Sequence, residues 1–598
     1  MPGMDSGLDA ANPALIAAFM SALLQQLIIV GAIAVVLALA YRVARRWRPA
    51  SPEPAPAPEP RSRKFLRITF GVLWIFDGLL QAQPKMAGGL SSQVIAPVAA
   101  ASPGWVQQVV NFGGTVWSYH PVVAAASAVW IQVGIGLWML VAVNGWSSRL
   151  AGLSSLGWGL IVWVFGESFG GVFAPAQTWL SGAPGAVTIY MVAGALIALP
   201  LRVWAGQRLG RLLLGGIGLS WIGFAIVQAL PGNGFWLGGE NGTLTDMVST
   251  MEQVTQPAPQ AAMLSAFARF TNANAAAVNL FVVIALAALG ALFVSGRPRL
   301  LRVAVPVATV FCLADWVLVQ DLGFPGGLGT DPNSMVPWVL LSWGGYISLT
   351  ERAAATVVAE SPVPATAPSR TAFRRVMATV TPRSLVALGS VGVILLGAAP
   401  MAAASVDRNA DPIIAQAIAG APVRLNRPAP DFQLINGESG QPVNLAALHG
   451  KVVLLTFLDP VCVGCPAIAQ QLHAASGLLG ADSSGVELVA IAATTMHSRA
   501  EFIRAFDKNQ GLALTPNWLF LTGPGVDLQR VWSSYEQVSP RMMSGMMVHS
   551  DIVFVIDATG TLRWAVQDAP GPAKVSAQLS FAELLANAVR PIVTSGQN

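Results

Sequence analysis

Cysteine, histidine and tyrosine are all rare in this chain: three, five and five among 598 residues. Charge is sparse as well, with Asp, Glu, Lys and Arg together making up 11%. Three cysteines exclude a disulfide-stapled scaffold, which needs paired sulfurs throughout. Up to residue 404 there is a single histidine, His120, and a single cysteine, Cys312. One imidazole offers one axial ligand and no second, which argues against haem in that region. One sulfur cannot supply the dithiol of a disulfide-generating membrane oxidase, so that mechanism is excluded there. Cys312 reads instead as a small core residue. The net charge of +5 does not imply nucleic acid, because the arginines cluster in short loops beside apolar runs.

What the chain has in abundance is long apolar runs. Hydrophobic residues make up 54% and the mean hydropathy is +0.59, values that fit a chain mostly dissolved in lipid. Ten segments approach the roughly 20 residues a bilayer requires: about 14–40, 66–83, 121–143, 151–169, 185–201, 212–230, 275–295, 302–320, 335–350 and 384–402. The start carries Asp5 and Asp9 and no basic stretch, unlike a standard signal peptide. Arg42, Arg45, Arg46 and Arg48 follow the first segment, and Arg61, Arg63 and Lys64 follow the Pro/Ala/Glu linker 51–60. Those charges make the first loop cytoplasmic. Alternating spans then keep every Arg-rich loop inside and place the C-terminal domain outside a bacterial-type plasma membrane. The tenth segment ends in Met401-Ala402-Ala403-Ala404-Ser405, whose small residues resemble a signal-peptidase site. The domain beyond is read as tethered, with release after Ala404 as the alternative. The expected organisation is an anchor and cytoplasmic linker at 1–64, membrane units at 65–210 and 211–350, a linker at 351–383, an anchor at 384–404 and an outer domain at 405–598.

The two membrane units echo each other. Trp74, Gln81 and Pro84 recur in spacing as Trp221, Gln228 and Pro231, and Trp163-Val164 recurs as Trp316-Val317. Spans two to five and six to nine thus read as tandem four-helix repeats in the same orientation. The run Gly71-Val72-Leu73-Trp74-Ile75-Phe76-Asp77-Gly78 resembles the opening helix of DoxX-like membrane proteins, over about residues 65–350. Polar side chains inside spans are few and costly, so they normally face a cavity or one another. Asp77 shares a helix face with Trp74 and Gln81, and Glu167 and Asp315 lie on the fourth and eighth spans. Asp77, Gln81, Glu167 and Asp315 are therefore a candidate polar site for a small molecule or protons; the plainer reading is helix-to-helix hydrogen bonding. Phe224 replaces Asp77 and Gln320 stands opposite Glu167 in the second unit, so any such site is asymmetric.

After Asp411 the pattern changes to short alternating elements. Phe432–Ile435 and Val443–Leu445 read as a hairpin around Asn436-Gly437, and Val452–Leu458 and Val486–Ala493 as buried strands. Helices are expected at Cys465–Leu479, Arg499–Asp507, Val526–Tyr535 and Phe581–Val589. Trp518–Leu521 is a short strand, and Ile552–Ile556 with Leu562–Val566 a second hairpin. Cys462 and Cys465 form a C-x-x-C at a strand-to-helix turn, where free helix N–H groups favour thiolate. Such a pair can form a disulfide or clamp a soft metal ion. Strand–helix alternation with this motif at the first helix is a thioredoxin-like arrangement.

The segments at 428–434, 449–457, 462–466, 518–523 and 549–560 resemble the Sco/SenC family. These are thioredoxin-fold proteins of the extracytoplasmic membrane surface that bind copper for cytochrome oxidase assembly. The resemblance implies copper held by Cys462, Cys465 and His549. The family usually spaces its cysteines C-x-x-x-C, whereas C-x-x-C here is the spacing of dithiol oxidoreductases. His549 stands where such reductases carry a proline, giving two sulfurs and one imidazole suited to Cu(I). Met542, Met543, Met546 and Met547 could add thioether ligands or form a flexible partner surface. His449, His473 and His497 read as surface or capping residues, and Asp459 as a helix cap or a carboxylate beside the sulfurs. A peroxidatic role for Cys462 is disfavoured, since Asp459 stands where a hydroxyl is wanted.

Three functions follow. The first is a membrane-tethered copper-binding and thiol-redox protein that delivers copper to, or reduces cysteines of, an extracytoplasmic target such as cytochrome oxidase. The second is a thiol–disulfide oxidoreductase in which Cys462 attacks and Cys465 resolves. The third is a small-molecule binder or transporter in the membrane half, regulated by the outer domain. The expected partners are that target protein and the lipid bilayer, not nucleic acid.

Overall fold

A computed structural model describes residues 12–46, 59–95, 98–99, 102–174, 177–204, 206–239, 242–252, 257–324, 328–351, 381–407, 423–461, 465–495, 497–535, 541–543, 546–548, 552–567 and 581–595. Its N-terminal part is helical. The helices used below are α1 (Pro13–Arg46), α2 (Arg61–Gln81), α3 (Gly104–Tyr119), α4 (Pro121–Val141), α5 (Gly145–Ile161), α6 (Ala186–Ala198), α7 (Gln207–Ala229), α8 (Ala258–Val294), α9 (Pro298–Leu318), α10 (Met335–Thr350) and α11 (Pro382–Val406). Each of the ten expected spans is helical, and seven helices among the described residues are long and apolar enough to cross a membrane. The other three fall short for separate reasons. Helices α6 and α10 have only 13 and 16 residues, and α2 begins with Arg61, Arg63, Lys64 and Arg67.

Those arginines do more than mark a loop. Arg63 and Arg67 are buried at 1% and 3% exposure. Glu59 neutralises both, at 2.5 Å from Arg63 Nη1 and 2.9 Å from Arg67 Nε. Arg63 also donates to the carbonyls of Val143 and Ile197, and Arg67 to that of Met139. Cations at helix C-termini satisfy carbonyls that have no intrahelical partner and oppose the helix dipole. At the same end Glu351, just past α10, accepts from the amides of Arg61 and Ser62. The start of α2 and the ends of α4, α6 and α10 therefore share one end of the bundle.

Backbone proximity repeats between the two units. A Cβ on Gly136 would lie 2.5 Å from the Gly71 carbonyl oxygen, and one on Gly218 would lie 2.5 Å from that of Gly290. Gly71 and Gly218 each precede a paired tryptophan, Trp74 or Trp221, by one turn, and such glycine contacts let helix backbones close up. The second echo is also local geometry. Ser168, Phe169 and Gly170 have φ of 49°, 60° and 62°, and Asp321, Leu322 and Gly323 have 47°, 61° and 80°. Trp163 donates to the Pro184 carbonyl at 3.0 Å and Trp316 to that of Pro332 at 2.8 Å. α11 packs along α4, where a Cβ on Gly397 would lie 2.4 Å from the Ser127 carbonyl oxygen.

The C-terminal part is a sheet flanked by helices. Its strands are β1 (Val423–Pro428), β2 (Gln433–Asn436), β3 (Pro442–Asn444), β4 (Val452–Leu458), β5 (Val486–Ala492), β6 (Trp518–Thr522), β7 (Arg541–Met543), β8 (Met546–Val548), β9 (Ile552–Ile556) and β10 (Thr561–Gln567). The helices are α12 (Cys465–Leu479), α13 (Ala500–Asn509), α14 (Gly525–Ser534) and α15 (Phe581–Ser595). Eight strands run in the order β1-β10-β9-β4-β5-β6-β2-β3, with β4, β5 and β6 parallel and β9 antiparallel to β4. Every residue of β4 and β5 is buried, as expected of central strands covered on both faces. Two elements escaped the sequence reading. β1 is an edge strand with two arginines, and the methionine segment, given no secondary structure from sequence, is a hairpin pairing Met542 with Met547 and Met543 with Met546.

Candidate functional site

Parallel pairing of β4 with β5 sets Leu458 beside Ala492, so the loops leaving the two strands meet. Asp459 follows β4 directly and is fully buried. Its carboxylate receives the Val461 amide at 2.9 Å and faces His497 Nδ1 at 3.0 and 3.1 Å. His497, read from sequence as a surface or capping residue, is thus the partly buried partner of a buried acid. Its ring also meets the Phe502 ring edge-on at 5.4 Å. The position where a peroxidatic thiol wants a hydroxyl is held by this engaged carboxylate.

Cys465 opens α12 and is completely buried. The Asp459 amide donates to its Sγ at 3.2 Å. A backbone donor aimed at sulfur, at the positive end of a helix, favours negative charge on that sulfur. Cys462 and His549 lie outside the described residues. The elements that flank them are close: Thr456, near the end of β4, donates to the Ile552 carbonyl at the start of β9 at 3.0 Å. Among the described residues no three His, Cys, Asp or Glu side chains cluster closely enough to hold a metal. His449 packs on the Gly560 turn, and His473 Nδ1 contacts the Thr515 hydroxyl at 3.2 Å.

The expected polar site in the helical part is partly assembled. A cavity of about 590 Å³ is lined by Asp77, Gln81 and Glu167 together with Tyr190 and Asp331. Gly185, at φ 96°, leaves the room Glu167 occupies, since a Cβ there would lie 2.1 Å from Glu167 Oε2. Glu167 Oε1 accepts the Val187 amide at 3.1 Å. Asp315 does not join them. It is buried on α9 one turn beyond Cys312, away from the lining of this cavity. The sequence missed Tyr190 and Asp331. Asp331 sits in a loop of the second unit, so nothing local marks it as facing a cavity of the first. Around Trp221 the rings of Trp179, Phe293 and Trp338 pack together, and Trp179 stacks on Phe311 at 4.8 Å. That aromatic packing accompanies the replacement of Asp77 by Phe224.

Comparison with known proteins bears on the C-terminal part. Residues 425–565 match the AhpC/TSA family. Among solved structures, copper-bound ScoI of Bradyrhizobium japonicum is similar at 18% identity and a TM-score of 0.23, covering 27% of this chain and 98% of that one. Copper-bound ScoI of Arabidopsis thaliana is similar at 19% identity and a TM-score of 0.23, covering 28% and 98%. The thioredoxin domain of a thiol-disulfide oxidoreductase from Bacteroides vulgatus is similar at 18% identity and a TM-score of 0.22, covering 29% and 99%. Comparison with curated proteins finds no match, and the DoxX-like resemblance of residues 65–350 gains no support. Residues 425–565 form an AhpC/TSA thioredoxin-like domain that follows a helical region with several apolar spans.

Proposed function

We propose that the C-terminal domain is a membrane-tethered dithiol module that handles copper and disulfides at the extracytoplasmic surface. The observation that carries this reading is the Asp459 amide directed at the buried Cys465 sulfur at the start of α12. A stabilised Cys465 thiolate serves both chemistries, as a ligand of a soft metal and as the nucleophile of the resolving step. Cys462 attacks a target disulfide, one target sulfur leaves as thiolate and takes up a proton, and a mixed disulfide forms. Cys465 then attacks Cys462, releasing the second target sulfur, so the target gains two electrons and the Cys462–Cys465 pair loses them. An extracytoplasmic dithiol donor resets the pair. In the reduced state Cys462, Cys465 and His549 form a set for Cu(I), which the domain delivers to its target. The Arg-rich ends of the spans support the extracytoplasmic side, and the close packing of α11 on α4 supports a tether that stays in place.

Trapping tests the thiol step. In the full chain, Cys465→Ser leaves Cys462 unable to resolve, so a stable mixed disulfide with an added disulfide substrate accumulates. Cys462→Ser accumulates none. Equal trapping by both variants, or by neither, contradicts the assignment.

A further inference from the structure

The cavity in the helical part serves no step of the thiol chemistry. Its wall is largely apolar and carries the rings of Trp74, Phe112, Trp158 and Tyr190. Its polar members include the carboxyl groups of Asp77, Glu167 and Asp331 and the amides of Gln81 and Gln132, beside two buried donors, Tyr190 Oη and Trp158 Nε1. No Lys, Arg or His stands among the described residues that line it. Asp77 Oδ1, Gln81 Oε1 and Glu167 Oε2 are buried and have no hydrogen-bond partner among the described residues. Unmet buried acceptors call for a donor or a positive charge.

The geometry selects the kind of cation. The carboxylates do not converge closely enough to chelate a metal ion. A small ion would also have to shed a tightly held hydration shell. A bulky organic cation spreads its charge, costs less to desolvate and is attracted to aromatic faces. The volume of about 590 Å³ lies within the range of ligand pockets, roughly 300–1,000 Å³. We propose that this cavity binds a lipophilic organic cation of the ammonium or phosphonium type, with its charge between Asp77 and Glu167 and its apolar arms against Trp74 and Trp158. Ile394, Ala398 and Met401 of α11 form part of the wall. An occupant therefore touches the helix that leads into the thioredoxin-like domain.

The test uses the full chain in lipid nanodiscs with two probes of the same shape and opposite charge. Tetraphenylphosphonium should bind saturably at one per chain, and tetraphenylborate should not. Asp77→Asn with Glu167→Gln should weaken cation binding at least about tenfold, whereas Asp315→Asn, outside the cavity, should leave it unchanged. A readout on the unaltered protein guards against misfolded variants: carbodiimide modification of Asp77 and Glu167, mapped by mass spectrometry, should slow with the phosphonium and not with the borate. Equal binding of both probes, cation binding indifferent to the double variant, or modification unaffected by either probe would overturn the proposal.

Discussion

Asp459 holds three contacts at once: the Val461 amide and His497 on its carboxylate, and the Cys465 sulfur on its own amide. Asp459→Ala removes the first two and frees the loop that aims the third. The expected outcome is slower alkylation of the dithiol at neutral pH, by about 3–10-fold, measured by mass spectrometry on the reduced chain. His497→Ala should show a weaker effect in the same direction; unaltered alkylation in both variants would show that the loop is ordered by other contacts. The place of Cys465 at the start of a helix was legible in the sequence, because C-x-x-C after an apolar strand is a local pattern. His497 was not, because its pairing with Asp459 comes from the register of β4 against β5 and spans 38 residues. Placing the two predicted strands side by side in parallel would have revealed it. Asp315 failed for the opposite reason. A buried acid on a span predicts a polar neighbourhood but not which cavity it faces.

Helices and strands carry two further expectations. Gly136 approaches the Gly71 backbone so closely that Gly136→Leu must push α4 from α2, at a cost of about 1–3 kcal/mol. The thermal midpoint in detergent should fall; an unchanged midpoint would mean the helices are not in that contact. In α13, burial raises the Asp507 carboxyl from 3.8 to about 6, although Trp518 Nε1 donates to it at 2.9 Å. A carboxyl raised on folding holds its proton more tightly in the native state. Its contribution is full below about pH 4 and is lost as pH rises through about 6. Amide exchange in Ala500–Asn509, corrected for intrinsic rates, should therefore report about 1 kcal/mol less protection at pH 7 than at pH 4.5. Asp507→Asn, which keeps an acceptor for Trp518, should flatten that slope, and a slope that persists would assign it to another group. Apolar runs made most elements readable. β1 hid because Arg424 and Arg427 break the alternation of an edge strand, and the β7–β8 hairpin because methionine carries little strand preference.

Across the molecule, an apolar helical region precedes a thioredoxin-like domain whose proposed chemistry uses two sulfurs and an imidazole. If that domain is extracytoplasmic, a membrane-impermeant maleimide added to intact cells should label reduced Cys462 and leave buried Cys312 unlabelled. Labelling only after lysis would place the domain on the other side. Two tryptophan spacings pointed to a repeat in the helical region, and the glycine contacts and the loop φ values accord with it. Its cavity was visible only as isolated polar residues, because Tyr190 and Asp331 reach it from a separate helix and a separate unit. The most direct test of the account is a Cu(I) competition titration of the reduced full chain beside Cys462→Ser and His549→Ala. The account predicts one tightly held Cu(I) per chain and a loss on the order of 100-fold in either variant, with disulfide exchange retained in His549→Ala. Copper held no more tightly by the unaltered chain than by His549→Ala would contradict it and leave the dithiol as an exchange centre alone.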